Sequence, residues 1–154
     1  MTSLCCDVIR SLQGKTLVTA ESLTGGGIGA ALTSVSGSSS VYKGGIISYT
    51  NAVKNRILGV PREVLDQYGA VSEPVAKAMA EGVRSLLDAD VSVSVTGLAG
   101  PGGDEYGNPV GTVFIGYSDA DLTEVKHFLF CGDREAIRKQ TAEEALKLVL
   151  KNVK

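Results

Sequence analysis

The chain has 154 residues, 44% hydrophobic and 21% charged, which fits one folded domain with a single sizeable core and excludes wholesale disorder and fibrous repeats. Its 15 Lys and Arg against 17 Asp and Glu give a formal net charge of -2, so there is no basic field to hold a nucleic-acid backbone. No apolar run approaches the roughly 20 residues that cross a bilayer, and Met1–Arg10 lacks the basic start and apolar run of a secretory leader. The expectation is a soluble cytoplasmic protein that engages neither nucleic acid nor membrane.

Leu4, Val8, Ile9 and Leu12 recur at helical spacing ahead of Gln13-Gly14 and predict a short amphipathic helix over 3–12. Residues 15–20 read as a buried strand, 21–24 as a turn, and Ile28, Ala31, Leu32 and Val35 as a helix from about Thr24 to before Gly37. Residues 41–50 are β-branched and aromatic around Gly44-Gly45, predicting a second strand with a bulge. Two short helical pieces follow at 51–58 and 61–68. A longer helix spans 73–88, with Ser72 as N-cap, Pro74 in its first turn and a stripe of Val75, Met79, Val83 and Leu86.

Residues 91–95, VSVSV, read as a third strand, followed by a long Gly- and Pro-rich loop and a fourth strand over 110–117. A loop of that length inside a small domain is usually functional or mobile. A hairpin turn at Asp119-Ala120 leads to a last strand over 122–130, and Asp133 caps a C-terminal helix that turns Ile137, Thr141, Ala145 and Leu148 inward. Strands alternating with helices, plus one late hairpin, predict a single three-layer α/β/α domain over 1–154 with a mixed sheet of about five strands.

Three cysteines, Cys5, Cys6 and Cys131, form no CxxC pair and imply no disulfide framework. The single histidine, His127, lies in a strand-like segment and reads as a solvent-facing strand residue, so a Ser-His-Asp triad would hang on it alone and a zinc site has too few ligands. No metal or cofactor is expected. The 19 glycines instead concentrate in loops, where backbone can approach a ligand closely.

Two loops that follow strand ends carry that pattern. AESLTGGGIG offers the Ser22 and Thr24 hydroxyls and the N–H groups around Gly25 and Gly26 at a helix N-terminus, suited to a phosphate or an oxyanion, or simply a capped, tightly packed helix. TGLAGPGG, from Thr96 through Gly97 and Gly100 to Gly103, can wrap a ring or a phosphate, or serve as a plain connection. A serine at the exposed end of a strand resembles the presentation of acyl-transfer nucleophiles, and a serine needs a base. Lys54, near the end of the second strand, can supply one if desolvation leaves it neutral, although most such lysines are surface charges. Tyr49 can assist proton transfer or stack on a ring. Arg134 and Arg138 can pair with a phosphate, and Arg138 fits ordinary surface charge better.

TAESLTGG, the GSS of 37–39, SYTNAVK (48–54), GAVSEP (69–74), TGLAGPGG (96–103), NPVGTV (108–113) and CGDREAIRKQ (131–140) occur in the order in which the CinA C-terminal domain family carries them, and the chain resembles that family from about residue 15 to its end. Enzymatic members of the family are nicotinamide mononucleotide deamidases. The resemblance therefore implies hydrolysis of the carboxamide of nicotinamide mononucleotide to nicotinate mononucleotide and ammonia in pyridine nucleotide salvage. Residue by residue it implies Ser22 as nucleophile, Lys54 as base and Tyr49 as a catalytic partner. Arg134 and the glycine loops, through Thr24, Gly25, Gly26, Thr96, Gly97 and Gly100, would hold phosphate and ribose, and N–H groups near Gly25 or Gly97 would steady the oxyanion. It also suggests a homodimer with a small-molecule nucleotide substrate. Many relatives carry a further N-terminal molybdopterin-binding-like domain with no counterpart in this sequence, so the resemblance extends to the amidase half alone. The alternative is a catalytically silent nucleotide-binding module tied to competence or DNA damage, which would need the glycine loops but neither Ser22 nor Lys54. A third, broader reading is an amidase for non-nucleotide amides, in which Arg134 has no phosphate to meet.

Overall fold

The computed structural model describes residues 1–153. In chain order its elements are α1 (Thr2–Ser11), β1 (Leu17–Glu21), α2 (Gly27–Thr33), a 3-10 turn (Ser38–Ser40), β2 (Tyr42–Ile47), α3 (Asn51–Arg56), α4 (Arg62–Tyr68), α5 (Glu73–Leu86), β3 (Val91–Gly97), β4 (Thr112–Ser118), β5 (Thr123–Leu129) and α6 (Arg134–Asn152). The strands form one sheet in the order β2-β1-β3-β4-β5. β2 and β3 flank β1 in parallel, while β4 and β5 add antiparallel to β3 and to each other.

Helices cover both faces, so β1 and β3 read as nearly unbroken buried runs. On one face Leu17, Val93, Val95 and Ile115 meet Val8, Ile28, Ile137 and Leu146 of α1, α2 and α6. On the other, Val18 and Ala20 meet Leu65, Val75, Met79 and Val83 of α4 and α5. This is the expected three-layer domain with a five-stranded mixed sheet. The late hairpin is tied by Asp119, whose carboxylate accepts from the N–H groups of Asp121 and Leu122, both at 2.8 Å.

Several elements differ locally from the sequence expectation. The second helix starts at Gly27 rather than near Thr24, because Gly25 and Gly26 hold φ of 59° and 100°, backbone that a helix cannot use. It stops at Thr33, where the hydroxyls of Thr33 and Ser34 bond back to Gly29 and Ala31 carbonyls at 2.8 and 2.6 Å. The bulge expected in β2 is present: the register passes from Leu17↔Tyr42 to Val18↔Gly44, skipping Lys43. In α5, Leu86 is 51% exposed, and the buried stripe runs through Val75, Ala76, Met79, Ala80 and Val83. The sheet beneath is small and polar there: Ser92 and Ser94 donate to the carbonyls of Ala80 and Ala76 at 2.6 and 2.7 Å, which draws alanine rather than leucine against it. Ser72 occupies the N-cap position, yet its hydroxyl donates to the Gly69 carbonyl instead of capping. His127 is exposed and stacks on Phe114, with centroids 4.5 Å apart.

One consequence of the strand order positions everything that follows. The chain leaves β1 toward β2 on one side and returns as β3 on the other, so a crevice opens at the C-terminal ends of β1 and β3, the topological switch point where open α/β sheets bind ligands. Ser22 follows β1 and Leu98 follows β3 at that crevice.

Candidate active site

The turn after β1 is organised by Glu21. Its carboxylate is 2% exposed and accepts four hydrogen bonds: from the Thr24 hydroxyl at 2.7 Å, the Thr19 hydroxyl at 3.2 Å, and the N–H groups of Ile28 and Gly29 at 2.9 and 3.0 Å. A negative charge is thereby placed at the start of α2, where free N–H groups favour it. The anion site expected at this helix N-terminus is filled by the protein's own carboxylate. Sheet geometry sends the Ser22 side chain to the opposite face from Glu21, toward α3.

There Ser22 meets Lys54. Thr50 caps α3, accepting from the Val53 N–H, and the helix carries Lys54 back beneath the end of β2. Lys54 is 1% exposed and Ser22 6% exposed. Lys54 Nζ stands 2.9 Å from Ser22 Oγ, 2.7 Å from the Ser48 carbonyl oxygen and 3.3 Å from that of Tyr49. All three oxygens are neutral. Burial without a carboxylate partner lowers the Lys54 pKa from 10.5 to about 8. As an ammonium Nζ donates to all three oxygens; as a neutral amine, with two N–H bonds and one lone pair, it keeps both carbonyls and can accept from the Ser22 hydroxyl.

The dyad opens into a cavity of about 680 Å³. Tyr49, Thr96, Gly97, Gly100 and Arg134 line it together with Ser22 and Lys54. Arg134, in the first turn of α6, donates to the Gly100 carbonyl at 2.7 Å and to the Tyr49 hydroxyl at 3.2 Å. Tyr49 is 59% exposed and stands at the mouth. Thr96 is buried and its hydroxyl donates to the Ala70 carbonyl at 2.8 Å, holding the segment before α5 against the end of β3. The long loop after β3 is pinned: Asp104 accepts from the Tyr106 and Asn108 N–H groups, and the Tyr106 hydroxyl donates to the Asp66 carbonyl at 2.8 Å.

Seven of the ten residues singled out from sequence thus meet at one cavity. Thr24, Gly25 and Gly26 do not line it, contrary to expectation. The Thr24 hydroxyl is committed to Glu21, the Gly25 N–H closes a turn on the Ser22 carbonyl at 3.1 Å, and Gly26 packs against Ile47. Their role is to shape the turn that presents Ser22. Two further residues, Glu21 and Arg138, hold that turn in place. Glu21, expected as the first residue of the turn, instead ends β1 and is buried. Arg138, which fits surface charge better by sequence, donates to the carbonyls of Leu23 and Thr24 at 2.9 and 3.2 Å, and its spacing of four from Arg134 is the signal that both lie on one side of α6.

Comparison with known proteins bears on the fold and the family. The pattern of the CinA C-terminal domain matches residues 2–153. A CinA-like protein of Parasynechococcus marenigrum is 50% identical over 149 residues, covering 94% of this chain and 35% of its own length. The chain thus spans about a third of the curated relatives it matches. Among solved structures, the competence damage-inducible protein A of Klebsiella pneumoniae is similar at 35% identity and a TM-score of 0.95, covering 98% of this chain and 95% of its own. The competence/damage inducible protein CihA of Agrobacterium tumefaciens is 36% identical with a TM-score of 0.94, covering 97% and 93%. With the family pattern matching nearly the whole chain and the solved relatives superposing at a TM-score of about 0.95, the chain belongs to the CinA C-terminal domain family.

Proposed function

We propose that the protein is an amidohydrolase that converts nicotinamide mononucleotide to nicotinate mononucleotide and ammonia by a Ser22–Lys54 dyad. The observation that carries the reading is Lys54 Nζ, buried among neutral oxygens 2.9 Å from a serine hydroxyl that faces a cavity. A structural lysine has no need of that arrangement, whereas a general base does. The substrate follows from the family resemblance together with Arg134, which supplies a guanidinium at the cavity mouth for a phosphate.

With its two N–H bonds on the Ser48 and Tyr49 carbonyls, neutral Lys54 turns its lone pair to the Ser22 hydroxyl. With a pKa of about 8, about a tenth of the free protein is in this form at pH 7. The N-glycosylated nicotinamide ring is itself cationic and disfavours an ammonium nearby, so substrate binding shifts Lys54 further toward the base. Ser22 Oγ attacks the carboxamide carbon, its proton passes to Lys54 Nζ, and the C=O electron pair moves onto oxygen. Collapse of this adduct expels the amide nitrogen, which takes the proton from Lys54 and leaves as ammonia. A water then gives a proton to Lys54 as its oxygen adds to the Ser22 ester; collapse of this adduct returns the proton from Lys54 to Ser22 Oγ, and the freed carboxylic acid loses its own proton to solvent as the carboxylate. Tyr49, its carbonyl on Lys54 and its hydroxyl on Arg134, couples the reacting end of the site to the phosphate end.

The test is ammonia release from nicotinamide mononucleotide, nicotinamide riboside and free nicotinamide at equal concentrations. Turnover is expected to fall in that order. Turnover of none of the three would overturn the assignment.

A further inference from the structure

The parallel ladder between β1 and β3 ends one rung early, beside the nucleophile. The pairing Glu21↔Val95 is its last, and the Ser22 N–H still reaches the Val95 carbonyl at 3.1 Å. The next rung of a parallel ladder would run from the Gly97 N–H to the Ser22 carbonyl. It is not made, because that carbonyl accepts from the Gly25 N–H in the turn. Nor does β4 use the Gly97 N–H. Leu98 donates to the Thr112 carbonyl at 2.9 Å and accepts from Gly111 at 2.8 Å, so Gly97↔Val113 falls in the alternate position whose N–H groups point away from the partner strand. The Gly97 N–H is left aimed across the gap toward Ser22, without an acceptor among the described residues.

A second N–H is free at the same place. Leu23 follows the nucleophile, lines the cavity, and donates its N–H to no acceptor among the described residues, although its carbonyl is held by Arg138. Unpaired backbone donors at the buried end of a sheet are uncommon. Gly97 is also fixed as glycine, since a Cβ there would meet Val113 Cγ2 at 2.6 Å and the Thr112 carbonyl at 2.8 Å.

We infer that the backbone N–H groups of Leu23 and Gly97 form the oxyanion hole of this site, receiving the carboxamide oxygen as Ser22 adds to the carbon. This rests on the Ser–Lys reading; of the donors expected near Gly25 or Gly97 it keeps Gly97, and it replaces Gly25, whose N–H is spent on the Ser22 carbonyl, with Leu23. As the C–O bond to Ser22 forms, the carbonyl electron pair moves onto an oxygen lying between two donors that need no rearrangement. Both groups then act only on the reacting atoms.

The test replaces Leu23 or Gly97 by its α-hydroxy acid, which exchanges the N–H for an ester oxygen and leaves the side chain unchanged. Two rates are read: nicotinamide mononucleotide turnover, and labelling of Ser22 by a fluorophosphonate, whose P=O oxygen uses the same donors without any nucleotide. Each replacement is expected to slow both by about 100- to 1000-fold. The melting temperature should stay near that of the parent, since the fold uses neither N–H. Slowed labelling in a protein that never turns over the mononucleotide would keep the oxyanion hole and remove the substrate assignment. Unchanged labelling and turnover in both replacements would overturn the hole while leaving the Ser–Lys chemistry standing. A fall in rate matched by a large fall in melting temperature, or a parent protein that takes no label, would overturn it too.

Discussion

Arg134 and Arg138 lie one turn apart at the start of α6 and hold different segments around Ser22: Arg134 the Gly100 carbonyl and the Tyr49 hydroxyl at the cavity, Arg138 the carbonyls of Leu23 and Thr24 in the turn behind it. The last helix of the chain thereby ties together the turn after β1, the end of β2 and the loop after β3. The two arginines therefore separate experimentally. Arg134→Ala removes the guanidinium at the mouth, and KM for nicotinamide mononucleotide should rise by about 10- to 100-fold, the worth of a charge-assisted pair. The riboside, which has no phosphate, should be affected far less. Equal losses on both substrates would contradict a phosphate role for Arg134.

Arg138→Ala should act through the nucleophile instead. Released from its two hydrogen bonds, the Leu23–Thr24 turn loosens, and kcat is expected to fall by about tenfold to a hundredfold with KM little changed. Arg138→Lys should recover only part of this, because an ammonium cannot span two carbonyls as the planar fork does. A KM effect without a kcat effect would place Arg138 on the substrate.

Glu21 governs the same turn from inside the core. Glu21→Gln keeps the size but sets an amide NH2 against N–H donors, leaving buried groups unpaired. The expected loss of unfolding free energy in denaturant is about 3 kcal/mol. A change below about 0.5 kcal/mol, the scale of surface substitutions, would show that the carboxylate is not what holds the start of α2.

How much of this was readable in the chain varied with the physics involved. Apolar spacing located β1, β3, α5 and α6, because burial on one or both faces sets the positions of their Val, Leu and Ile, whereas β2 was legible from its β-branched and aromatic composition. The same spacing misjudged the start of α2, where glycine conformation rather than burial decides, and Leu86, because the buried stripe of α5 runs instead through Ala76 and Ala80, whose carbonyls accept from Ser94 and Ser92. Lys54 was legible as a candidate by position, but its desolvation comes from the fold around it. The anion site expected around Thr24, Gly25 and Gly26 is absent from the cavity for a tertiary reason: Glu21 takes the Thr24 hydroxyl and the N–H groups of Ile28 and Gly29 at the start of α2, and the Gly25 N–H is spent on the Ser22 carbonyl.

The Lys54 pKa gives a signed pH prediction. In the unfolded chain the amine titrates near 10.5 and in the folded protein at about 8, so between those values the unfolded state binds more protons and stability rises with pH. Below about pH 8 the buried charge costs the fold about 3 kcal/mol, and that cost is lifted as pH passes 10.5. Lys54→Met should remove this segment of the stability profile. In parallel, kcat/KM of the wild type should climb with pH and level off above about 8, as the neutral base fills. A profile falling through pH 8 would mean that Lys54 acts as its ammonium.

The most direct measurement is ammonia release from nicotinamide mononucleotide by chelator-treated protein, beside Ser22→Ala and Lys54→Ala, with substrate binding measured in all three. The account predicts full turnover by the wild type and loss of at least about 1000-fold in each variant, with binding retained. Comparable turnover in either variant, or binding without turnover in the wild type, would contradict it.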